Sequence, residues 1–344
     1  MKKLAILFLS VMALLGAVSP ALAGKPGGEQ EALQSALVRG ADLHLSRQGT
    51  YDGIANTWEW EIGSGKTGPN VQGMSATGLL SAFERTHDAK YLNGALAAGN
   101  TLVARYDATT SRPYSQDVEF LVRLATDSGD ASYATKAAAY YARVKVAFTA
   151  VQNADRYINI RKSLAGWDLA SHIRAAVAVG EIDYAKGMAA RLIERRADWE
   201  GVLYGGWDYT AVSRASLLWA FRALADSAFD AYVAQIRQAV LGAQGLDGSW
   251  DMGDYQTTAY AVLGLVLPRT PVLADAVARA WAFLRDSQTL AGGWSYPPEY
   301  GEVNSEVLMA LGALRLDEGK KIGHTDPQPG HGNDTGKHPL DPTP

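Results

Sequence analysis

Six aromatic residues recur along this chain of 344 residues, each in a loop that leads into an apolar, small-residue helix pattern. These residues are Trp60, Tyr114, Trp167, Trp207, Trp250 and Trp294. Their spacings are 54, 53, 40, 43 and 44 residues, which is the size of a repeat built from two helices and their connections. Such a unit must stack on its neighbours to bury its apolar faces. The spacing therefore predicts a closed or stacked array of helix pairs.

Each repeat is predicted to contain one outer and one inner helix. The outer helices carry more charge and should face water; they are predicted at 30–47, 90–105, 131–150, 183–196, 228–243 and 273–287. The inner helices are apolar nearly all round, as helices buried on every side should be; they are predicted at 72–86, 116–127, 170–180, 213–225, 256–267 and 304–315. Twelve helices in two layers form an all-α (α/α)6 toroid. The alternative is an open solenoid, which needs capped polar ends, and the sequence lacks them.

The first 23 residues have the features of a signal peptide. Lys2 and Lys3 precede an apolar stretch, and Ala21-Leu22-Ala23 forms a small-residue cleavage site. The apolar run is shorter than the roughly 20 residues that a membrane-spanning helix needs. We therefore expect cleavage after Ala23 and export of the remaining chain, to the periplasm or the medium.

The C-terminal segment differs in composition from the rest of the chain. Residues 317–344 are rich in Gly, Pro, Asp, Lys and His and nearly free of apolar side chains, which predicts a disordered tail after a toroid domain at 24–316. Three tail histidines could bind a transition metal weakly: His324, His331 and His338.

The absence of cysteine excludes disulfides and thiolate chemistry. A formal charge of -4 without a basic face argues against nucleic acid. No cofactor and no metal are expected in the toroid.

Two segments fit a known repeat. Gln244-Gly-Leu-Asp-Gly-Ser-Trp250 and Gln288-Thr-Leu-Ala-Gly-Gly-Trp294 fit the Gln-x3-Gly-x-Trp repeat of squalene and oxidosqualene cyclases, and residues 254–265 are similar to the start of an inner helix in protein prenyltransferase β subunits. The chain thus resembles the terpenoid-cyclase and prenyltransferase toroid superfamily, most closely over about 200–316. The resemblance implies that these Trp and Gln side chains are structural. The ring would stack on a neighbouring helix end while the amide bonds to backbone groups there.

The residues that carry this superfamily's chemistry lack clear counterparts. Squalene cyclases protonate their substrate with an Asp-rich motif, and the matching stretch here keeps only Asp254, with Gln256 and Thr257 where acids are expected. Neither is a strong proton donor. Prenyltransferases hold zinc, and the positions that match their ligands, Ser213, Ala215 and Thr257, are not typical zinc ligands. A terpene cyclase with a displaced acid is therefore the least favoured function.

The inner-helix N-termini of such a toroid line one mouth of the ring, where aromatic and acidic side chains are predicted to collect. Aromatic faces stack on sugar rings and carboxylates act as acid and base, so this mouth suits a polysaccharide. The candidate catalytic residues are His172, Asp117, Glu306, Asp254 and Tyr209. The candidate substrate-binding residues are Trp58, Trp60, Gln72, Arg174, Arg214, Tyr255, Gln256, Tyr296 and Asn304.

Two reactions remain open for these candidates. In a polysaccharide lyase, His172 could be the base, with Arg174 neutralising a uronate and Tyr209 as the acid. In a glycoside hydrolase, two of the carboxylates of Asp117, Asp254 and Glu306 could be the acid and base pair. Each group also has a structural interpretation, as a histidine bonded to a helix end, a carboxylate stabilised by a helix dipole or an arginine paired with a neighbour. The alternative function is a non-catalytic, ligand- or protein-binding toroid that has lost its active site.

Overall fold

The computed structural model describes residues 28–110, 113–146, 154–158, 162–267, 270–294 and 298–316. The predicted signal peptide, the tail with its three histidines, and Tyr296 lie outside these residues. Within them the chain forms twelve α-helices of 11 residues or more, in six outer and inner pairs. The predicted all-α toroid is thereby confirmed.

Every predicted helix is present, with ends that differ by a few residues. The outer helices are α1 (Gly28–Ser46), α3 (Ala89–Asp107), α5 (Ser132–Val146), α7 (Ile182–Glu194), α9 (Asp230–Gly242) and α11 (Pro271–Asp286). The inner helices are α2 (Val71–Thr86), α4 (Ser115–Ser128), α6 (Ala165–Ala178), α8 (Thr210–Leu224), α10 (Tyr255–Leu265) and α12 (Gly301–Ala313). The inner helices are buried nearly all round, as their apolar sequences require, except α4, in which six of 14 residues are buried.

The ring is closed by contact between the last inner helix and the first. Each inner helix packs on the next, and α12 packs on α2. Ser305 of α12 accepts a hydrogen bond from the Gly78 amide at 3.0 Å and donates one to the Met74 carbonyl at 2.6 Å. A Cβ atom at Gly78 would lie 2.4 Å from the Ser305 hydroxyl oxygen, so the glycine permits this close approach.

The tryptophans of the two Gln-x3-Gly-x-Trp segments are buried against the ends of their own outer helices. The Trp250 indole donates to the Val240 carbonyl at 2.6 Å, and the Trp294 indole donates to the Leu284 carbonyl at 2.7 Å. Both carbonyls belong to the last turn of a helix, where the regular donor four residues further along is missing. Each indole therefore caps the helix that precedes its loop.

The glutamines of the same segments join adjacent units. The Gln244 amide donates to the carbonyl of Ala276, in α11, at 2.8 Å. The Gln288 amide donates to the carbonyl of Ala36, in α1, also at 2.8 Å. The second of these bonds connects the sixth repeat to the first, so it closes the outer ring as the contact between α12 and α2 closes the inner one.

The two faces of the toroid differ in loop length. The connections from inner to outer helices are two to five residues long, whereas those that lead into the inner helices are longer. The long loops carry two hairpins, β1 (Gly49–Tyr51) with β2 (Ile54–Thr57) and β3 (Leu203–Tyr204) with β4 (Trp207–Asp208). After β2 the chain continues without a further strand as far as Glu61, which forms a single bridge with Tyr300. Among the described residues no helix has the length and apolar character to cross a membrane.

A buried histidine links α1 to α2 and to the first long loop. The His44 ring stacks on Trp58 with centroids 4.9 Å apart, and its Nε2 lies 3.0 Å from the Ser75 carbonyl oxygen. The pKa of His44 is lowered to about 4, chiefly by burial and to a smaller extent by the positive charge of Arg47, while the contact with the Ser75 carbonyl opposes the shift. The ring is therefore neutral at pH 7.

We expect His44 to make the fold sensitive to acid. Because its pKa falls from 6.5 to about 4 on folding, its contribution to stability is complete above pH 6.5 and is lost as the pH falls toward 4. The shift corresponds to about 3 kcal/mol. Urea unfolding of wild type and His44→Gln at pH 7 and pH 4.5 measures it. The variant should lose this part of the pH dependence, whereas His87→Gln, at an exposed position, should retain it. Equal pH slopes for wild type and His44→Gln would contradict the prediction.

Candidate functional site

Two buried carboxyl groups lie one helical turn apart at the start of α12. Glu302 is 9% exposed and Glu306 is 1% exposed. Residues four apart on a helix share a face, so both carboxyl groups project from the same side of this inner helix. Burial of two acids without a pairing cation is costly unless protons or hydrogen bonds compensate.

The Glu306 carboxyl group is held by α10. The Gln256 side-chain amide donates to both carboxyl oxygens, at 3.1 Å to Oε1 and 2.9 Å to Oε2. The Tyr260 hydroxyl, one turn further along α10, donates to Oε1. The structure therefore brings together the candidates Gln256 and Glu306, with a tyrosine as a third partner.

Of the two carboxyl groups, Glu306 is the one whose pKa is raised more strongly. Burial raises its pKa well above the usual value, and the nearby charges of Glu302 and Asp254 raise it further, while the bonds from Tyr260 and Gln256 lower it by less. A carboxyl group in this setting stays protonated at a pH where exposed glutamates are ionised. It is therefore suited to act as a proton donor.

A chain of hydrogen bonds with a defined direction reaches Glu306. The Trp167 indole lies 3.4 Å from the Tyr260 hydroxyl oxygen, and an indole N–H only donates. Tyr260 accepts from Trp167 and donates its own proton to Oε1 of Glu306. Oε1 therefore accepts from both Tyr260 and Gln256, whereas Oε2 accepts from Gln256 alone, so we place the acidic proton of Glu306 on Oε2.

The second carboxyl group is tied to the long first loop. The Trp60 indole donates to Glu302 at 3.3 Å, and the Asn70 amide donates to it at 3.2 Å. Burial raises the pKa of Glu302, and these two donors oppose that shift. The Trp60 ring is half exposed and lies 5.4 Å from the Tyr300 ring. Glu302 is thus bordered by aromatic rings that reach solvent.

An arginine lies close to Tyr260, because it packs on the Trp219 ring, whose centroid is 5.9 Å from that of Tyr260. The Arg174 guanidinium is 3.6 Å from the centre of the Trp219 ring, and its Nε donates to the Glu119 carboxylate at 3.1 Å. Its Nη1 atom is buried and has no hydrogen-bond partner within the described part of the chain. The charge of Arg174 also acts on Tyr260, which places the guanidinium near the hydrogen-bond chain.

His172 belongs to a separate cluster. Its Nδ1 lies 2.7 Å from the Ser115 hydroxyl oxygen, and its Nε2 lies 2.7 Å from the Tyr157 hydroxyl oxygen. Both ring nitrogens are therefore engaged, and the ring connects the start of α4 to the stretch at 154–158.

Asp117 is fully buried between three helices. It accepts hydrogen bonds from the Gly73 amide at 3.0 Å and from the Tyr106 hydroxyl at 2.5 Å. Gly73 is in the first turn of α2, so Asp117 satisfies a backbone amide that lacks an intrahelical partner. Burial raises the pKa of Asp117, and the bond from Tyr106 opposes the shift. These contacts join α2, α3 and α4.

The other candidates at helix starts have local partners. Asp254 caps α10 by accepting from the Thr257 amide at 2.6 Å. Arg214 pairs with Glu200 at 2.7 Å. Tyr255 is buried against Phe283. Tyr209 stacks on Trp167 with centroids 6.3 Å apart and planes inclined by 12°, so of this set it is the one that contacts the hydrogen-bond chain.

Three more substrate-binding candidates are enclosed by protein. The Trp58 ring is completely buried and its indole donates to the His44 carbonyl at 2.7 Å. The Gln72 amide lies within 3.4 Å of three backbone carbonyl oxygens, and its own oxygen has no partner among the described residues. Asn304 accepts from the Trp294 amide at 2.8 Å. In this structure each holds a loop against a helix.

Tyr260 and Trp167 are absent from the sequence-derived candidates, and Glu302 is absent from those assigned a catalytic or substrate-binding role. A signal for two of them was available, because Tyr260 follows Gln256 by four positions and Glu302 precedes Glu306 by four, which puts each pair on one helix face. Trp167 appears in sequence only as one of six recurring aromatics. Among the described residues, no group of three or more His, Asp or Glu side chains is arranged to hold a metal ion.

Comparison with solved structures finds the same architecture in enzymes of different chemistry. An alpha-1,6-mannanase from Salegentibacter sp. has a TM-score of 0.58 and 12% identity, covering 82% of this chain and 98% of its own. A type II terpene cyclase from Scytonema has a TM-score of 0.58 and 15% identity, covering 83% and 98%. An unsaturated glucuronyl hydrolase from Bacillus sp. has a TM-score of 0.55 and 16% identity, covering 82% and 96%.

No protein-family model matches the chain, and no curated protein matches it. At these identities the likeness concerns the fold and not the reaction. The closed ring of six helix pairs and these similarities together assign the chain to the α/α-toroid fold, which terpene cyclases and glycoside hydrolases share.

Proposed function

We propose that this protein is an exported glycoside hydrolase that cleaves a polysaccharide in the mouth of the toroid. The observation that carries the proposal is the buried pair Glu302 and Glu306, in which burial raises the pKa of Glu306 well above its usual value and Tyr260 donates to its carboxyl group. Two carboxyl groups with different proton affinities are what glycoside hydrolysis needs. The half-exposed ring of Trp60 beside Glu302 offers a face on which a sugar can stack.

The roles follow from the protonation of the two groups. Glu306 donates its Oε2 proton to the glycosidic oxygen as the bond from that oxygen to the anomeric carbon breaks. Glu302, once ionised, either removes a proton from the attacking water or attacks the anomeric carbon itself. In the second case water, which gives its proton to the Glu306 carboxylate, then breaks the bond between the sugar and Glu302. Its hydrogen bonds from Trp60 and Asn70 favour the charged form. Tyr260 and Gln256 orient Glu306 and do not exchange protons with the sugar.

Hydrolysis is favoured over the lyase reaction by the surroundings of His172. A lyase base needs a free nitrogen facing the sugar carbon that loses its proton. Both ring nitrogens of His172 already face hydroxyl groups. A proton transfer by this ring would require that one of these contacts break first.

The choice of test substrates rests on the similar structures and on Arg174. One similar mannanase was solved with alpha-1,6-mannotriose, and another similar enzyme is a glucuronyl hydrolase. Arg174 carries a buried guanidinium nitrogen without a partner in the described residues, and guanidinium groups suit carboxylates. Both neutral and uronate-containing glycans therefore belong in the panel.

A turnover screen on the purified protein tests the proposal. The panel is alpha-1,6-mannan, xylan, chondroitin, alginate and pectate, with reducing ends measured for hydrolysis and absorbance at 232 nm for unsaturated uronates. We expect new reducing ends without absorbance at 232 nm on at least one glycan. Absorbance at 232 nm would replace the hydrolase with a lyase, and binding without turnover would favour the non-catalytic toroid.

A further inference from the structure

The β3–β4 hairpin presents aromatic rings to solvent next to the mouth. Trp207 is 72% exposed and Tyr204 is 46% exposed. The two residues are directly paired across the hairpin, so their side chains lie on the same face. Gly205 and Gly206 form the turn with φ of +58° and +88°, the left-handed conformation that tight hairpin turns require. This turn holds the rings outward, where they contribute little to the core.

These exposed rings continue into the buried site. Tyr204 contacts Tyr209 with ring centroids 6.3 Å apart, and Tyr209 stacks on Trp167. Trp167 then donates to Tyr260, which donates to Glu306. Aromatic side chains thus form an unbroken line from solvent to the proposed acid, which we term the aromatic wall: Trp207, Tyr204, Tyr209, Trp167 and Tyr260.

The chemistry of the wall fits a chain of sugar rings. A pyranose presents an apolar C–H face that packs on an aromatic ring and a hydroxyl edge that bonds to polar groups. Asp208, the next residue of β4, is exposed, and its carboxylate accepts from the Thr210 amide at the start of α8 at 2.8 Å. A lipid surface suits the hairpin less, because this carboxylate is negative and the whole chain has a formal charge of -4.

We infer that the Tyr204–Trp207 hairpin is an outer sugar-binding subsite for a glycan chain whose cleaved bond lies at Glu302 and Glu306. This inference rests on the proposed function, since it takes the α12 carboxyl pair as the point of cleavage. It adds that the substrate is a chain of several sugars that extends out of the mouth along the wall. Short substrates should reach the carboxyl pair without contacting Trp207.

Binding to chains of different length tests the subsite. The parent is Glu306→Gln, which prevents turnover, and calorimetry measures its dissociation constants for alpha-1,6-linked mannose di- and tetrasaccharides and for chondroitin di- and tetrasaccharides. We expect Trp207→Ala, in this parent, to weaken binding of at least one tetrasaccharide about 2- to 12-fold, as expected for loss of one aromatic contact. Disaccharide binding should be unchanged.

The control is Leu246→Ala, which removes a fully exposed apolar side chain from the loop before α10 and should leave all four constants unchanged. Equal weakening of di- and tetrasaccharides by Trp207→Ala would overturn the inference, and so would no weakening or no binding by the parent. Because the readout is binding, an absence of turnover in the wild-type protein would reject the hydrolase function without deciding the subsite.

Discussion

Replacing Glu306 by Gln is expected to lower kcat by about 10²- to 10⁴-fold on any glycan that the wild-type protein hydrolyses, the usual contribution of a general acid. Glutamine keeps the size of the side chain and can still bond with Tyr260 and Gln256, but it cannot transfer a proton. Initial rates of reducing-end formation measure the effect. The control is Glu31→Gln, an exposed position on α1, which should retain wild-type activity.

The same variant should change how stability depends on pH. The pKa of Glu306 is raised on folding above its ordinary value of 4.5, so the folded state binds this proton more tightly than the unfolded state does. The contribution is present below pH 4.5 and is lost as the pH rises through the folded pKa. As the pH rises from 4.5 through the folded pKa of Glu306, the Glu306→Gln variant should therefore lose less stability than the wild-type protein does. Full activity in the variant together with an unchanged pH slope would exclude Glu306 as the buried acid.

Trp294→Ala is expected to lower the free energy of unfolding by about 3–5 kcal/mol, the usual cost of removing a buried tryptophan side chain. The ring is 1% exposed and packs so closely on Gly40 of α1 that a Cβ atom there would lie 2.7 Å from it. The variant also loses the bond that caps α11 at Leu284. The substitution thus weakens the junction where the sixth repeat meets the first.

The same change at an exposed position provides the control. Trp207→Ala removes a ring that is 72% exposed, so it should alter stability by no more than about 0.5 kcal/mol. Urea unfolding of both variants, followed by circular dichroism, makes the comparison. A loss below about 1 kcal/mol for Trp294→Ala would contradict the structural role of this ring.

The candidate site was predictable only in part. Glu306 and Gln256 are sequence-derived candidates, and the structure joins them directly. Asp117 and His172 have equally suggestive positions near the predicted starts of inner helices, yet one bonds to the first turn of α2 and the other lies between two hydroxyl groups. Sequence places a residue on a helix and near its end, but it does not say which neighbouring helix provides the partner.

The sequence by itself determined the repeat number, the two classes of helix and the positions of all twelve, because hydrophobic periodicity and loop spacing are local properties of the chain. Glu302, Tyr260 and Trp167 acquired their significance only in the tertiary structure. The pKa of Glu306 depends on exclusion of water and on side chains from α6, α10 and α12 that meet at one point. Burial and electrostatic coupling act through space, so they are decided when the ring closes.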